Sequence, residues 1–220
     1  MGTGPNSGDW LDDTRKSYDT VAASYADLTR DLLRHTPEER AVLSLFAALI
    51  RDQGGGPVAD VGCGPGRITA HLRQLGVDAF GIDLSPAMVA LARRDHPGIR
   101  FDIGSMTTLP LPGSSVTGLI AWYSLIHIPD SEMSTVLAHF HRVLHPGGPL
   151  LIAFHLGDES NLKTEGYGGY PMKVYVHRRQ HDRMITWLAD AGFTIETRTT
   201  LTSAESRLGG IILARSTTAR

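Results

Sequence analysis

The feature that most constrains this chain is a glycine-rich turn that follows a short apolar run. Residues 58–61 are mostly apolar and predict a buried strand, and Gly62, Gly64 and Gly66 follow it directly. Glycine permits a tight turn and a close approach of the backbone to a ligand. The helix predicted from Arg67 points its free N–H groups at the same place. This order of strand, turn and helix predicts an open α/β sheet with a ligand site beyond the carboxyl ends of its strands.

The rest of the chain alternates between strand and helix patterns. Further strands are predicted at 79–82, 99–103, 116–122, 150–154, 194–200 and 210–214. Alternation up to residue 154 indicates parallel strands with helices on both faces, whereas the last two strands are close enough to pair as an antiparallel hairpin. We therefore predict the α/β class, with a doubly wound, mostly parallel seven-stranded sheet and an antiparallel C-terminal strand.

The length of 220 residues predicts a single domain, 1–220. Residues 1–10 are rich in Gly, Pro, Ser and Asn, which predicts a flexible tail. Residues 11–35 predict an N-terminal lid helix, because apolar side chains recur there at helical spacing. That stripe consists of Tyr18, Val21, Ala22, Tyr25 and Leu28. Residues 156–177 are polar, rich in Gly and Tyr, and break the alternation, so we predict an insertion on the substrate side.

Composition excludes several classes of protein. The formal net charge of -2 and the lack of a long basic run argue against nucleic acid as a partner. No apolar run approaches the length of a membrane span, and the N-terminus lacks the pattern of a secretory signal. The single cysteine, Cys63, cannot form an intrachain disulfide. We expect a cytoplasmic monomer or homodimer that binds no membrane and no metal.

The acidic residues near the turn bear on which cofactor binds there. A dinucleotide fingerprint requires G-x-G-x-x-G, but position 67 is Arg67, so the spacing is G-x-G-x-G. Asp60 also adds a carboxylate where a pyrophosphate needs positive potential. A second acid, Asp83, ends the next strand and can accept hydrogen bonds from both hydroxyls of a ribose. A nucleoside cofactor with an ammonium group fits this pattern better than a dinucleotide.

Five segments in order resemble the motifs of class I S-adenosylmethionine (SAM)-dependent methyltransferases of the small-molecule type. They are Asp60-x-Gly62-x-Gly64-x-Gly66, Gly81-Ile82-Asp83-x-Ser85-x-x-Met88, Gly104-Ser105-Met106 with residues 109–112, the segment 116–127, and the turn 142–148. The opening Tyr18-Asp19-x-x-Ala22-x-x-Tyr25 is similar to the N-terminal helix of many members. The resemblance implies a Rossmann-like methyltransferase fold, SAM as the cofactor, and a transferase that methylates a small-molecule acceptor.

The resemblance also implies cofactor contacts, each on a matching position. The glycine loop, Gly62, Cys63, Gly64 and Gly66, would pass under the methionine moiety, and Asp60 would orient that loop and the amino group. Asp83 would bind the ribose, and Leu84 or Met88 would pack on the adenine. Met106 would contact the adenine by its backbone, with Ser105 where relatives often have Asp. Tyr18 and Tyr25 would close over the cofactor, and Ala121 and Trp122 would approach it by backbone.

The transfer itself is an in-line displacement in which the protein mainly binds and aligns the reactants. A general base is needed only for an acceptor that is protonated at working pH. His127 and His155 follow the fourth and fifth strands and are candidate bases, although either can instead be a packed loop residue. Tyr123, Tyr167 and Tyr170 are candidate acceptor contacts. Two rival functions remain: a SAM-binding protein that transfers no methyl group, and a nicotinamide-dependent oxidoreductase.

Overall fold

The computed structural model describes residues 9–202 and 208–217. Its strands are β1 (Pro57–Val61), β2 (Asp78–Asp83), β3 (Phe101–Ile103), β4 (Gly118–Trp122), β5 (Pro149–His155), β6 (Ser160–Gly166), β7 (Tyr170–His177), β8 (Phe193–Thr202) and β9 (Leu208–Ser216). Its α-helices are α1 (Asp9–Thr29), α2 (Pro37–Asp52), α3 (Arg67–Gln74), α4 (Pro86–Asp95), α5 (Asp130–Val143) and α6 (His181–Asp190). Short 3-10 turns cover Leu32–His35, Met106–Thr108 and Leu125–His127.

Seven strands form one twisted sheet in the order β3-β2-β1-β4-β5-β9-β8. The pairs among β1 to β5 are parallel, whereas β9 pairs antiparallel with β5 and with β8. The strand order reverses between β1 and β4, so the chain leaves these two strands toward opposite sides of the sheet and forms a crevice at their carboxyl ends. This topology confirms the predicted seven-stranded α/β sheet with its antiparallel C-terminal strand.

Helices cover both faces because the central strands β1, β4 and β5 are buried on both sides. In β4, Leu119 and Ala121 belong to the core under α5 and α6, and Ile120 and Trp122 to the core under α2 and α3. Phe140 on α5 and Phe46 on α2 are among the large, fully buried side chains of these two cores. Both cores hold the carboxyl ends of β1, β2 and β4 in a fixed arrangement, which positions the crevice.

The N-terminal helix lies over the crevice and is held there by a β-hairpin. The hairpin is β6 paired antiparallel with β7, and it forms its own two-stranded sheet. Ser17 on α1 accepts a hydrogen bond from the backbone N–H of Lys173 at 2.8 Å, and Val21 packs on Met172 and Val174. Residues 156–177, predicted only as an insertion, therefore supply this hairpin, which clamps the lid helix.

Two boundaries differ from the sequence prediction. Helix α1 begins at Asp9, so residues 9 and 10 of the predicted flexible tail are helical; the remainder of that tail, 1–8, lies outside the described residues. The predicted lid helix, 11–35, ends at Thr29 and continues as the 3-10 turn Leu32–His35. Within the described residues, no helix is both long and apolar enough to span a membrane.

Candidate functional site

A cavity lies at the carboxyl ends of β1, β2 and β4, beneath α1. The lining residues are Trp10, Leu11, Thr14, Arg15, Tyr18, Tyr25, Val61, Gly62, Gly64, Asp83, Leu84, Ser85, Met88, Gly104, Ser105, Met106, Trp122, Tyr123, Ser124, His127 and Ile128. The cavity therefore occupies the place where open α/β sheets bind their ligands.

The glycine turn forms the floor of this cavity and tolerates no side chain at its first position. Gly62 has a φ of 79°, and a Cβ there would lie 2.3 Å from the Cβ of Ser124. Ser124 in turn donates its hydroxyl hydrogen to the carbonyl of Val61 at 2.7 Å. The close packing of the turn against the end of β4 is what brings the backbone of Gly62 and Gly64 to the cavity surface.

Asp83 closes β2 and faces the cavity with both oxygens fixed. Oδ2 accepts from the backbone N–H of Gly64 at 2.7 Å, and Oδ1 accepts from that of Ser85 at 2.8 Å. Burial raises the pKa of this carboxyl above its usual 3.8, while hydrogen bonds from the backbone N–H groups of Ser85, Gly64 and Leu84 oppose that rise. The two oxygens have about four acceptor sites in all, so the carboxylate keeps acceptor capacity for a ligand. A vicinal diol, as in ribose, matches this pair.

Asp60 does not line the cavity but lies beneath the turn. It is 1% exposed, and its Oδ2 accepts from the Thr69 hydroxyl at 2.6 Å. Its Oδ1 is buried and has no hydrogen-bond partner. Burial raises the pKa of Asp60 to about 7. Asp60 thus ties β1 to α3 through Thr69, and any effect on a ligand passes through the turn above it.

His127 lies in a hydrogen-bonded chain at one wall of the cavity. Its Nδ1 is 2.8 Å from the carbonyl oxygen of Tyr175, and its Nε2 is 2.7 Å from the hydroxyl of Tyr18. Tyr167, at the tip of the hairpin, also hydrogen bonds to Tyr18. Burial lowers the pKa of His127 to about 4 and raises that of Tyr18 well above 10. Both groups are therefore neutral near pH 7.

A second aromatic cluster stands where the cavity meets the glycine turn. The ring of Tyr25 approaches Gly64, and its centroid is 4.8 Å from that of Tyr167. Burial raises the pKa of Tyr25 to about 12. Tyr123, at the end of β4 with a φ of 54°, hydrogen bonds to Glu39 of α2, and burial raises the pKa of its phenol. These tyrosines are uncharged and present apolar ring faces to a bound ligand.

The structure brings most of the predicted site residues to this cavity. Those on its lining are Tyr18, Tyr25, Gly62, Gly64, Asp83, Leu84, Met88, Ser105, Met106, Trp122, Tyr123 and His127. Those off its lining are Asp60, Cys63, Gly66, Ala121, His155, Tyr167 and Tyr170.

Three of the predicted residues that do not line the cavity have other contacts or are exposed. Cys63 packs with Phe101, and burial raises the pKa of its thiol. His155 packs on the ring of Tyr123 at 5.1 Å between centroids. Tyr170 is 49% exposed on the hairpin, away from the cavity.

Sequence reasoning missed part of the lid face of the cavity. Trp10, Leu11, Thr14 and Arg15 line it from the first turns of α1, and Ser124 and Ile128 line it from the loop after β4. Thr14 precedes Tyr18 by four residues, and Trp10 precedes Thr14 by four, so both continue the stripe of Tyr18 at helical spacing. Extending that stripe toward the N-terminus identifies Trp10 and Thr14 from the sequence. Among the described residues, no cluster of three His, Cys, Asp or Glu residues could hold a metal.

A family model and a solved structure show which class of protein this chain resembles. A family model described as a methyltransferase domain matches residues 58–148. The solved structure of the 1,6-didemethyltoxoflavin-N1-methyltransferase of Burkholderia thailandensis, with bound substrate and S-adenosylhomocysteine, superposes with a TM-score of 0.74 at 20% identity, covering 99% of this chain and 93% of that one. The fold is therefore the Rossmann-like methyltransferase fold.

Two curated relatives extend the match in sequence. An uncharacterised methyltransferase of Geobacillus kaustophilus is 26% identical over 146 residues, which is 66% of this chain and 65% of the relative. The demethylmenaquinone methyltransferase of Renibacterium salmoninarum is 30% identical over 142 residues, which is 64% of this chain and 58% of the relative. The chain thus spans less than two thirds of these relatives. The matched domain and these relatives confirm that residues 58–148 resemble the class I SAM-dependent methyltransferases, as the five motifs indicated.

Proposed function

We propose that this protein transfers a methyl group from SAM to an O, N or C atom of a small-molecule metabolite. The observation that carries the proposal is the pairing of Asp83 with the glycine turn across one cavity. Asp83 lines the cavity and keeps acceptor capacity for a ligand, and the turn exposes backbone at Gly62 and Gly64. A ribose and an amino-acid tail fit these two features, and the cavity offers no cluster of cations for a diphosphate.

The chain's own residues would divide the cofactor between them. Asp83 would accept from the ribose hydroxyls, and Leu84, Met88 and Met106 would enclose the adenine with apolar surface. When bound, SAM supplies a methyl group that is already activated by the positive sulfur. The aromatic faces of Tyr18 and Tyr25 would hold that cation and exclude water. The remaining contribution of the protein is to hold the acceptor in line with the methyl group.

Isothermal titration with SAM and with S-adenosylhomocysteine tests the cofactor half of this proposal. We expect saturable binding of both, and a loss of roughly 10- to 100-fold in affinity for Asp83→Ala, because hydrogen bonds to a charged group contribute about 1.5–3 kcal/mol. The matched control is Asp78→Ala, which removes the acid that begins the same strand and pairs with Arg73 on the surface. No binding of either ligand to the folded protein, or saturable binding of NADH instead, would refute the proposal.

The methyl-transfer half of the proposal is tested by detecting a methylated product. Incubation with SAM and a panel of small phenols, enols, amines and heteroaromatic amides, followed by mass spectrometry, should show a mass gain of one methyl group on at least one acceptor. Release of S-adenosylhomocysteine should match the product in amount. Tight SAM binding without product across the panel would instead indicate a protein that binds the cofactor and transfers nothing.

A further inference from the structure

The polar side chains at one wall of the cavity have their hydrogens turned away from the ligand. We define the hydroxyl wall as Thr14, Tyr18, Ser124 and His127, all of which line the cavity. The Thr14 hydroxyl donates to the carbonyl of Trp10 at 2.7 Å. The Ser124 hydroxyl donates to the carbonyl of Val61 at 2.7 Å. Each hydroxyl has one hydrogen, so what these two present to the cavity is oxygen lone pairs.

The other two members of the wall, His127 and Tyr18, also present lone pairs to the cavity. A carbonyl oxygen only accepts, so the contact with Tyr175 requires the hydrogen of the neutral His127 ring to be on Nδ1. Nε2 is then a bare acceptor, and Tyr18 must donate its hydrogen to it across the 2.7 Å contact. Tyr167 consequently donates to Tyr18 rather than accepting from it. The Tyr18 oxygen has one lone pair left, and nothing at this wall offers a hydrogen to a ligand.

The remaining surroundings add apolar surface and one paired charge. Trp10, Leu11 and Ile128 line the cavity beside the wall. Arg15 lines it too, but its guanidinium forms an ion pair with Asp12. A carboxylate or phosphate placed against the hydroxyl wall would meet lone pairs and lose its hydration without compensation. A neutral O–H or N–H on an apolar body would instead complete the hydrogen bonding of the wall.

We propose that the methyl acceptor is a neutral hydrogen-bond donor with an apolar body, and that its proton passes to Tyr18 as the proton of Tyr18 passes to His127. This rests on the proposed methyl transfer and specifies its substrate class. The acceptor O or N bonds to the methyl carbon while that carbon leaves sulfur with the C–S electron pair staying on sulfur. The positive charge lost by sulfur reappears on the imidazolium of His127, whose Nδ1–H remains on the Tyr175 carbonyl.

The wall therefore acts as a proton acceptor only through a relay. His127 does not reach the acceptor itself, because the Tyr18 hydroxyl occupies its Nε2. Tyr18 is the group that touches the acceptor, and His127 is a positioning residue that orients the Tyr18 hydrogen and receives its proton. Hydrogen bonds in such a chain polarise one another, so the Tyr18 oxygen is a better acceptor than an isolated phenol.

Three related probes test the substrate class without knowledge of the natural acceptor. The protein saturated with S-adenosylhomocysteine is titrated with neutral 4-nitrophenol, with 4-nitroanisole, which has no hydrogen to donate, and with 4-nitrobenzoate, which is anionic. We expect 4-nitrophenol to bind at least about 10-fold more tightly than either of the others, since one net hydrogen bond distinguishes them. Equal affinities, tighter binding of 4-nitrobenzoate, or no binding of 4-nitrophenol would overturn the proposal.

Two variants test the direction of the hydrogen bonds between Tyr18 and His127. In His127→Leu, the Tyr18 hydroxyl loses its inward partner and can donate to the cavity, so the preference should shift toward 4-nitroanisole and 4-nitrobenzoate by a similar factor. In Tyr18→Phe, the Nε2 lone pair of His127 is uncovered, and the preference for 4-nitrophenol should persist. An unchanged preference in a His127→Leu protein that still binds S-adenosylhomocysteine would contradict the relay. Failure of the wild-type protein to bind S-adenosylhomocysteine would instead count against the proposed function alone.

Discussion

Acidification should destabilise this protein through His127, and the structure gives the size of the effect. Burial lowers the pKa of His127 from 6.5 to about 4 in the folded protein. Below pH 6.5 this histidine therefore binds a proton in the unfolded chain, whereas in the folded protein it binds one only below about pH 4. Stability must fall as the pH falls through this window and level off below it. At about 1.36 kcal/mol per pKa unit, a difference of about 2.5 corresponds to a loss of about 3 kcal/mol.

Urea unfolding at a series of pH values between about 7 and 4 measures this loss, with tryptophan fluorescence as the probe. His127→Gln keeps a neutral acceptor beside Tyr18 and removes the titration, so the difference in unfolding free energy between wild type and variant should shrink by about 3 kcal/mol as the pH falls across the window. Other groups titrate in both proteins and cancel in that difference. His145→Gln, at an exposed position, is the matched control for replacing a histidine by glutamine.

The charged and titratable neighbours of His127 decide whether this reasoning holds. His177, His155 and Lys163 also disfavour the imidazolium, whereas the carbonyl of Tyr175 favours it. A difference between wild type and His127→Gln that stays constant from pH 7 to pH 4 would refute the reasoning, since it would mean that the folded protein accepts the proton as readily as the unfolded chain. The tautomer itself can be read by long-range ¹H–¹⁵N NMR of the imidazole.

Three further predictions follow from the glycine turn and its supports. Gly62→Ala should abolish S-adenosylhomocysteine binding in titration and destabilise the fold by more than Gly76→Ala, because both have a positive φ but only the Cβ at 62 meets Ser124. The pKa of Asp60 is about 7 in the folded protein and 3.8 in the unfolded chain, so wild-type stability should fall by about 4 kcal/mol as the pH rises between these values. Asp60→Asn should remove this fall, as measured by urea unfolding across the same pH range. Ser85→Ala should cost about 1–2 kcal/mol in thermal unfolding, because its hydroxyl caps α4; no change in midpoint would show that the cap is dispensable.

Much of the fold was predictable because its signals are local. Each strand of the parallel sheet is a short apolar run, and each helix shows apolar side chains at helical spacing, so both follow from nearest neighbours in the chain. Glycine at 62, 64 and 66 is a backbone requirement that needs no knowledge of the rest of the protein. The hairpin at 160–177 escaped prediction because β6 is polar and mostly exposed, which left the short alternation around Met172 and Val174 in β7 without a recognisable partner strand.

Local sequence signals fixed the order of the strands in the main sheet, the glycine turn, and the acid at the end of β2 that faces the turn. The contacts that the side chains make at the cavity depend instead on the three-dimensional fold. It placed Asp60 under the turn instead of beside the ligand, and it set Tyr18 against His127 across 109 positions of the chain. Local spacing cannot encode such a contact, because the direction in which a hydroxyl turns its hydrogen depends on which distant acceptor the fold brings within about 3 Å.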